Sequence, residues 1–194
     1  MNTGKNILNA FEVIYKTYCN LNIFFQELDE IALKNDFVSI IPNNPHFLRW
    51  RSDNEVDGWY TGSFIKLFQP KDAELLVENQ VLRKAHIYGL EVNFDESKFD
   101  DSPEVNLIKY EYNDGIPNRS ETPTISYHWV FYNPLKKGND FEFEDLGNNK
   151  YISYTRENSV NRYCGIIKTT FFKIKLMDIN ENTIDNYFKE LIKL

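Results

Sequence analysis

Residues 6–34 carry the pattern that most limits how this chain can fold. Apolar side chains recur there in alternating steps of four and three residues: Ile7, Phe11, Ile14, Tyr18, Leu21, Phe25 and Leu28. This spacing predicts one amphipathic helix, which Thr3 or Asn6 can cap and which ends at Asn35. Because each residue adds about 1.5 Å, the helix would be roughly 40 Å long, more than a small domain is wide. It must therefore cross its whole sheet, kink, or project beyond it.

Two arrangements of this helix stay open from the sequence. In the first, the helix packs along its length on the sheet of its own chain. In the second, its apolar face continues beyond the sheet and pairs with another copy of the protein. The second arrangement predicts a homodimer through the N-terminal helix.

Beyond Asp36 the chain changes to short β-branched and aromatic runs that turn residues separate. Such runs predict strands at 37–41, 47–52, 59–68, 85–94, 105–112, 125–132, 151–156 and 165–177, with a minor strand at 141–143. The run 125–132 is apolar on both sides, which is typical of a central strand. Residues 70–84 fit a short helix, with a hairpin as the alternative. Apolar spacing over 184–192 predicts a closing helix.

The connections between these runs decide how the strands pair. They are short, rich in Asn, Gly and Pro, and contain no long helical pattern, which favours antiparallel pairing over βαβ units. The predicted fold class is therefore α+β, a mostly antiparallel sheet of about seven strands with a long N-terminal helix and a C-terminal helix packed on it. We predict a single domain over residues 1–194.

Composition limits the compartment and the partners. The chain has 22 basic and 29 acidic residues, a net charge of −7, which disfavours nucleic acid and anionic membrane surfaces as partners. Cys19 and Cys164 are its only cysteines, and no signal peptide or membrane-spanning run is recognisable, so we expect a cytoplasmic protein. No phosphate-binding glycine motif or serine-nucleophile elbow occurs, and we expect no cofactor.

One constellation suggests a ligand-binding surface. Arg49 and Arg51 share one side of a predicted strand, and Trp59 follows on the next strand. Guanidinium groups bind carboxylates and phosphates, and aromatic rings stack on planar groups. With His128 and Arg156 added, these residues are the predicted ligand-binding set. The alternative is that the arginines pair with nearby acidic residues and Trp59 lies in the core.

Metal-dependent chemistry is a weaker alternative. His46, His86 and His128 each precede an apolar run and could meet at a zinc ion, although none has a second ligand at short spacing. Carboxylates from Glu91, Asp95 and Glu96 could hold Mg²⁺ in the manner of a nuclease. Because neither set has convincing ligand spacing, we assign no metal site and no catalytic residue.

The functional expectation follows from a rich aromatic core and an acidic surface without a catalytic set. We expect a non-catalytic cytoplasmic binding protein, of inhibitor, immunity or adaptor type, that engages another macromolecule, most simply a protein. The alternatives are a metal-dependent hydrolase or nuclease that uses strand-end carboxylates or histidines, and a domain that binds a small anionic ligand.

Overall fold

The structure is a computed structural model that describes residues 3–41, 47–50, 61–76, 81–94, 103–117, 123–124 and 127–194. Its α-helices are α1 (Thr3–Lys34), α2 (His128–Tyr132) and α3 (Ile184–Ile192). Its strands are β1 (Phe37–Ser39), β2 (Leu48–Trp50), β3 (Ser63–Pro70), β4 (Ile87–Asn93), β5 (Glu104–Tyr112), β6 (Phe141–Gly147), β7 (Lys150–Thr155) and β8 (Ile166–Lys175).

All eight of these strands belong to one antiparallel sheet. Their order across it is β1-β3-β4-β5-β8-β7-β6, and β2 pairs with the same strand, β3, as β1 does. Neighbouring pairs in this order are antiparallel throughout. The α+β prediction is therefore confirmed, with eight strands instead of about seven.

Each face of the sheet carries its own apolar core, because strand side chains alternate between the faces. On the α1 face, Leu90 and Leu107 pack in one cluster with α1 and α3. On the α2 face, Ile65 and Ile108 belong to a second cluster, which Val130 and Phe131 of α2 join. Both terminal helices thus lie on one face, as predicted, and a short helix covers part of the other.

Helix α1 both packs on the sheet and projects from it. Its buried residues begin only in its second half; they are Leu21, Phe25, Leu28, Ile31 and Ala32. From Thr3 to Asn20 the side chains are exposed, apart from a partly buried Thr17. The helix ends where Asp36 adopts a left-handed φ of 61°, with the Asn35 side chain bonded to the Ile31 carbonyl over 2.9 Å.

A buried ion pair fixes where α1 lies on the sheet. Lys66 is on the α1 face of β3, its side chain is fully buried, and its Nζ lies 2.7 Å from Oδ2 of Asp29 in α1. Loss of water around the ammonium lowers the pKa of Lys66, while the Asp29 carboxylate opposes that shift. Because a buried charge without its counter-charge is costly, this pair favours one register of the helix on the sheet.

The sequence interpretation of residues 125–132 as a strand is wrong for the described part of that run. His128–Tyr132 form α2, in which His128, Val130, Phe131 and Tyr132 are buried. A short run that is apolar on every side fits a buried helical turn as well as a central strand, so periodicity could not separate the two. Asn133-Pro134 then ends the helix in a 3-10 turn.

The helix prediction for residues 70–84 is also wrong within the described residues, and the hairpin alternative holds there. Leu75 and Arg83 form an antiparallel bridge, and the Leu76 amide donates to the Leu82 carbonyl over 2.9 Å. Residues 77–80 lie outside the described part of the chain. The Gln69 side chain holds the returning segment, since its amide nitrogen donates to the Ala85 carbonyl over 2.7 Å.

The two edges of the sheet differ in length and charge. At one edge, β1 and β2 each have three residues. At the other, β6 has seven residues, and its exposed positions include Glu142, Glu144 and Asp145. Within the described residues, one edge therefore presents very short strands and the other presents acidic side chains to the surroundings.

Substitutions of the two partners of the ion pair should change the stability by different amounts. Asp29→Ala leaves the Lys66 ammonium buried beside no counter-charge and should lower the free energy of unfolding by about 3 kcal/mol at pH 7. Lys66→Met removes the fully buried charge and leaves the Asp29 carboxylate, whose side chain is about a third exposed although its Oδ1 is buried. This variant should therefore lose clearly less stability than Asp29→Ala. Urea unfolding measures both.

The exposed pair between Glu12 and Lys16 provides the matched control. Glu12→Ala should change the free energy of unfolding by less than about 0.5 kcal/mol, because exposed ion pairs contribute little. Equal losses for Asp29→Ala and Lys66→Met would show that Lys66 is not a desolvated charge in the folded protein.

Candidate functional site

Strand pairing separates two of the predicted ligand-binding residues. Arg49 lies opposite Phe64 in the β2–β3 register, and Phe64 belongs to the core on the α1 face. His128 is the first residue of α2, and its side chain is buried between α2 and the sheet. Because residues paired across antiparallel strands share a face, Arg49 and His128 lie on opposite faces of the sheet.

The remaining members of that set lie farther along or outside the described chain. Arg156 directly follows β7, near the β6 edge, whereas Arg49 is at the β2 edge with β3, β4, β5 and β8 in between. The Nε of Arg156 is 3.7 Å from Oε1 of the exposed Glu142. Arg51 and Trp59 lie outside the described residues. The structure therefore does not bring Arg49, His128 and Arg156 together, and a ligand-binding role for any of them stays a prediction.

The described residues contain no group of three or more His, Cys, Asp and Glu side chains arranged to hold a metal ion. His86 precedes β4, and its Nδ1 accepts from the Tyr112 amide over 3.3 Å. His128 contacts Ser63, which pairs with Asn93 at the far end of β4. At about 3.4 Å per residue this places the two histidines roughly 20 Å apart. His46, Asp95 and Glu96 lie outside the described residues.

Four polar side chains meet on the α2 face at the end of the central strands, and we call them the polar cluster. They are Ser63, Glu91, Asn106 and His128, all buried. Ser63 Oγ donates to Glu91 Oε1 over 2.6 Å, and His128 Nε2 lies 3.1 Å from the same Oγ. Asn106 Nδ2 donates to Glu91 Oε2 over 2.7 Å. Strand pairing explains the meeting, because Glu91 and Asn106 are directly opposite each other in β4 and β5.

The protonation of His128 decides what the polar cluster can do. Burial, and to a smaller extent the charge of Lys136, lowers the pKa of His128 to about 3, so its ring is neutral at pH 7. A hydroxyl has one proton, and that of Ser63 goes to Glu91. The imidazole must therefore present an N–H at Nε2 to Ser63.

This arrangement is unsuited to nucleophilic catalysis. A catalytic histidine accepts the proton of its serine, whereas His128 donates to Ser63, and the acid lies on the serine side. The Ser63 hydroxyl is also fully buried, out of reach of a substrate. The polar cluster is thus a hydrogen-bonded part of the core that fixes α2 on the sheet.

Sequence reasoning had considered Glu91 and His128 but had missed Ser63 and Asn106. The signal that could have revealed them is their position in the strand alternation. Glu91 has the same parity as Ile87, and Asn106 the same parity as Ile108, so each is a polar residue at a position of its strand that faces the core. Two polar residues at inward positions of neighbouring strands predict a buried hydrogen bond.

A different surface stands out from the described residues, and we call it the exposed stripe. It consists of the apolar residues on one side of the projecting half of α1: Ile7, Leu8, Phe11, Ile14, Tyr15 and Tyr18. Their exposed fractions range from 38% for Tyr18 to 71% for Tyr15. At about 100° per residue, the six positions fall within an arc of roughly 120°. The stripe is therefore a continuous apolar surface that extends the buried face of the same helix.

The other side of this helical segment is nearly neutral and mostly polar, with Val13 as its one large exposed apolar residue. Lys5, Glu12 and Lys16 are its only charged residues between Thr3 and Asn20. Lys16 Nζ lies 2.7 Å from Glu12 Oε1 one turn away. At the base of the stripe, the Tyr18 hydroxyl accepts from the Thr61 amide over 3.2 Å. The segment is thus an amphipathic helix with one apolar side and almost no net charge.

Two further features of the described residues concern the length of the helices and the cysteines. Among the described residues, no helix combines the length and the apolar character that crossing a bilayer requires. Cys19 and Cys164 are both free thiols, the first of them exposed on α1. A cytoplasmic location stays a prediction.

Comparison with known proteins adds no functional information. No protein-family model matches this sequence, and neither the curated proteins nor the solved structures contain a match. The functional argument therefore depends on the geometry of the chain itself.

The buried neutral state of His128 predicts a loss of stability in mild acid. Between pH 6.5 and about 3 the unfolded chain binds a proton at this residue that the folded protein does not. The free energy of unfolding should therefore fall as the pH falls below 6.5, by about 2 kcal/mol at pH 5 from this residue alone.

The variant His128→Gln isolates this contribution, because glutamine can still donate to Ser63 but does not titrate. Urea unfolding at pH 7 and pH 5 should show a smaller acid-induced loss in the variant than in the wild type. His86→Gln is the comparison: His86 is only partly buried, and its replacement should reduce the loss less. Identical pH dependence in wild type and His128→Gln would contradict a neutral His128.

Proposed function

We propose that this protein is a non-catalytic binding protein that engages another protein through the exposed stripe of α1. The observation that carries the proposal is the exposure of six large apolar side chains on one side of a helix whose other half is anchored in the core. Amphipathic helices of this kind bind by laying their apolar side into a groove of a partner. An inhibitor, immunity or adaptor protein would use such a surface.

The size of the stripe is appropriate for a specific contact. Aromatic side chains bury roughly 150–250 Å² each and aliphatic ones less, so the six partly exposed residues offer on the order of 600 Å² at most. The largest apolar patch on a monomeric protein is usually about 300–600 Å². A typical protein interface covers about 800 Å² on each partner. The stripe is therefore at the upper limit for a surface without a partner and near the size that an interface needs.

Charge favours contact through this helix over contact through the body of the protein. The chain as a whole has a net charge of −7, whereas the segment from Thr3 to Asn20 has two lysines and one glutamate. At about 1.5 Å per residue that segment is roughly 27 Å long, several times the screening length in physiological salt. A partner of either charge can approach its apolar side without strong repulsion from the acidic body.

A second candidate is self-association of the same stripe. Ile7, Phe11, Ile14 and Tyr18 follow the alternating steps of four and three that let two helices pack side by side. The near-neutral polar side of the segment would permit two copies to meet. A homodimer through the N-terminal helix is therefore the specific alternative to a different protein partner.

Substitution within the stripe should abolish binding without unfolding the protein. Phe11 is 66% exposed, so Phe11→Glu removes apolar contact area and places a charge in the interface while changing the free energy of unfolding by less than about 1 kcal/mol. Asn9→Glu adds the same charge on the polar side of the same helix and is the matched control. The measurement is capture from an extract of the cells that make the protein, with quantitative mass spectrometry.

We expect one or a few proteins to be retained by the wild type and by Asn9→Glu, and lost with Phe11→Glu. When the retained protein is purified and mixed with each form, it should bind the wild type and Asn9→Glu with similar affinity and Phe11→Glu much more weakly. Equal retention by Phe11→Glu and the wild type would contradict binding through the stripe.

Sedimentation velocity at two concentrations separates the two candidates. Self-association predicts that the wild type and Asn9→Glu become dimeric as the concentration rises and that Phe11→Glu stays monomeric. A wild type that is monomeric at both concentrations would exclude the homodimer and leave the heterologous partner.

A further inference from the structure

A cleft of about 500 Å³ lies on the α2 face near the β6 edge, on the opposite face of the sheet from α1 and next to the polar cluster, since its Lys173 pairs with Asn106 in the β5–β8 register. We call it the lysine–aromatic cleft. The chain that follows α2 forms one wall, and β6, β7 and β8 form the floor and the other wall. Its lining residues are Leu135, Lys136, Lys137, Phe143, Asp145, Tyr151, Phe171 and Lys173. The volume lies within the roughly 300–1,000 Å³ that small-molecule sites occupy.

Aromatic rings form the floor of this cleft. Tyr151 and Phe171 face each other in the β7–β8 register, and their rings are stacked with centroids 5.2 Å apart. Phe143 meets the Phe171 ring edge-on at 5.8 Å. Phe171 is fully buried, whereas Tyr151 and Phe143 are partly exposed. The floor is therefore held in place from below and offers ring surface to a planar ligand.

Lysines dominate the rim. The lining contains three lysines, Lys136, Lys137 and Lys173, and one acid, Asp145. Because Glu104, outside the lining, pairs with Lys173, the net charge around the cleft is +1 (three lysines against two acids) on a chain whose net charge is −7. Lys173 is held by Glu104, whose Oε2 is 2.8 Å from its Nζ. Lys136 lies over the Tyr132 ring at 4.1 Å. Lys137 is exposed and forms no ion pair with the described residues, so its ammonium is available to an anion.

We propose that the lysine–aromatic cleft binds a planar aromatic anion of the size and charge of a nucleoside monophosphate. The ring would stack on Tyr151 and Phe143, and the phosphate would bind Lys137 and Lys136. Two adjacent lysines suit a dianionic phosphate, because each adds a charge-assisted hydrogen bond. A positive recess on an acidic surface also concentrates anions where the rest of the molecule repels them. This site is separate from the exposed stripe and does not depend on the proposed function.

Isothermal titration calorimetry with three probes tests this assignment. Adenosine 5′-monophosphate carries both the ring and the phosphate, adenosine only the ring, and inorganic phosphate only the anion. We expect the monophosphate to bind at least tenfold more tightly than either of the other two, since it alone uses the floor and the rim together. Equal affinity for inorganic phosphate would show an electrostatic contact without the aromatic floor and would overturn the proposal.

Two variants locate the binding. Lys137→Ala should weaken monophosphate binding about tenfold, in line with the loss of one charge-assisted hydrogen bond. Lys150→Ala removes an exposed lysine of β7 that is not part of the lining and should leave the affinity unchanged. Both variants should keep the melting temperature of the unliganded protein, because both side chains are exposed. No detectable binding at millimolar monophosphate, or equal effects of the two substitutions, would refute the site.

Discussion

The contact between Lys66 and Asp29 sets the position of α1 on the sheet. A fully buried ammonium is stable only beside its counter-charge. If α1 slid along the sheet, Asp29 would move away from Lys66 and leave that charge buried and unpaired. With Asp29 held over β3, the apolar residues from Leu21 to Ala32 lie on the sheet, Tyr18 contacts its margin at Phe64, and the helix before Thr17 is exposed. The exposed stripe is thus a result of where one ion pair anchors a helix that is longer than its support.

Much of the fold was predictable, because local patterns and tertiary packing agree over most of the chain. The spacing of apolar residues gave α1 and α3, and Asn35 marked the end of α1 where Asp36 turns left-handed. The alternating runs gave most strands of the sheet. Agreement failed at His128–Tyr132, where an apolar run is used as a helix to cover the α2 face. Secondary-structure propensity could not predict this helix, because whether the run forms a strand or a helix depends on how the rest of the chain covers the two faces of the sheet.

The functional surfaces were harder to predict than the fold. Arg49 and Arg156 resemble parts of one patch in the sequence, but strand order places them at opposite edges of the sheet, and no local pattern encodes that order. The lysine–aromatic cleft combines Lys137, Tyr151 and Lys173 from three separate elements, so its composition becomes apparent only after the strands are aligned. The exposed stripe was present as apolar spacing, yet its exposure depends on the width of the sheet below it.

The edges of the sheet have a consequence for how copies of this protein can associate. In the described part of the chain, β1 and β2 offer only three residues each to a neighbouring strand, and the acidic side chains of β6 would repel an identical strand laid beside it. Both features disfavour the stacking of many copies through backbone hydrogen bonds between sheet edges. Any assembly that forms through a single helical surface closes once that surface is covered. Association through the apolar side of one amphipathic helix thus favours small, discrete complexes over fibres.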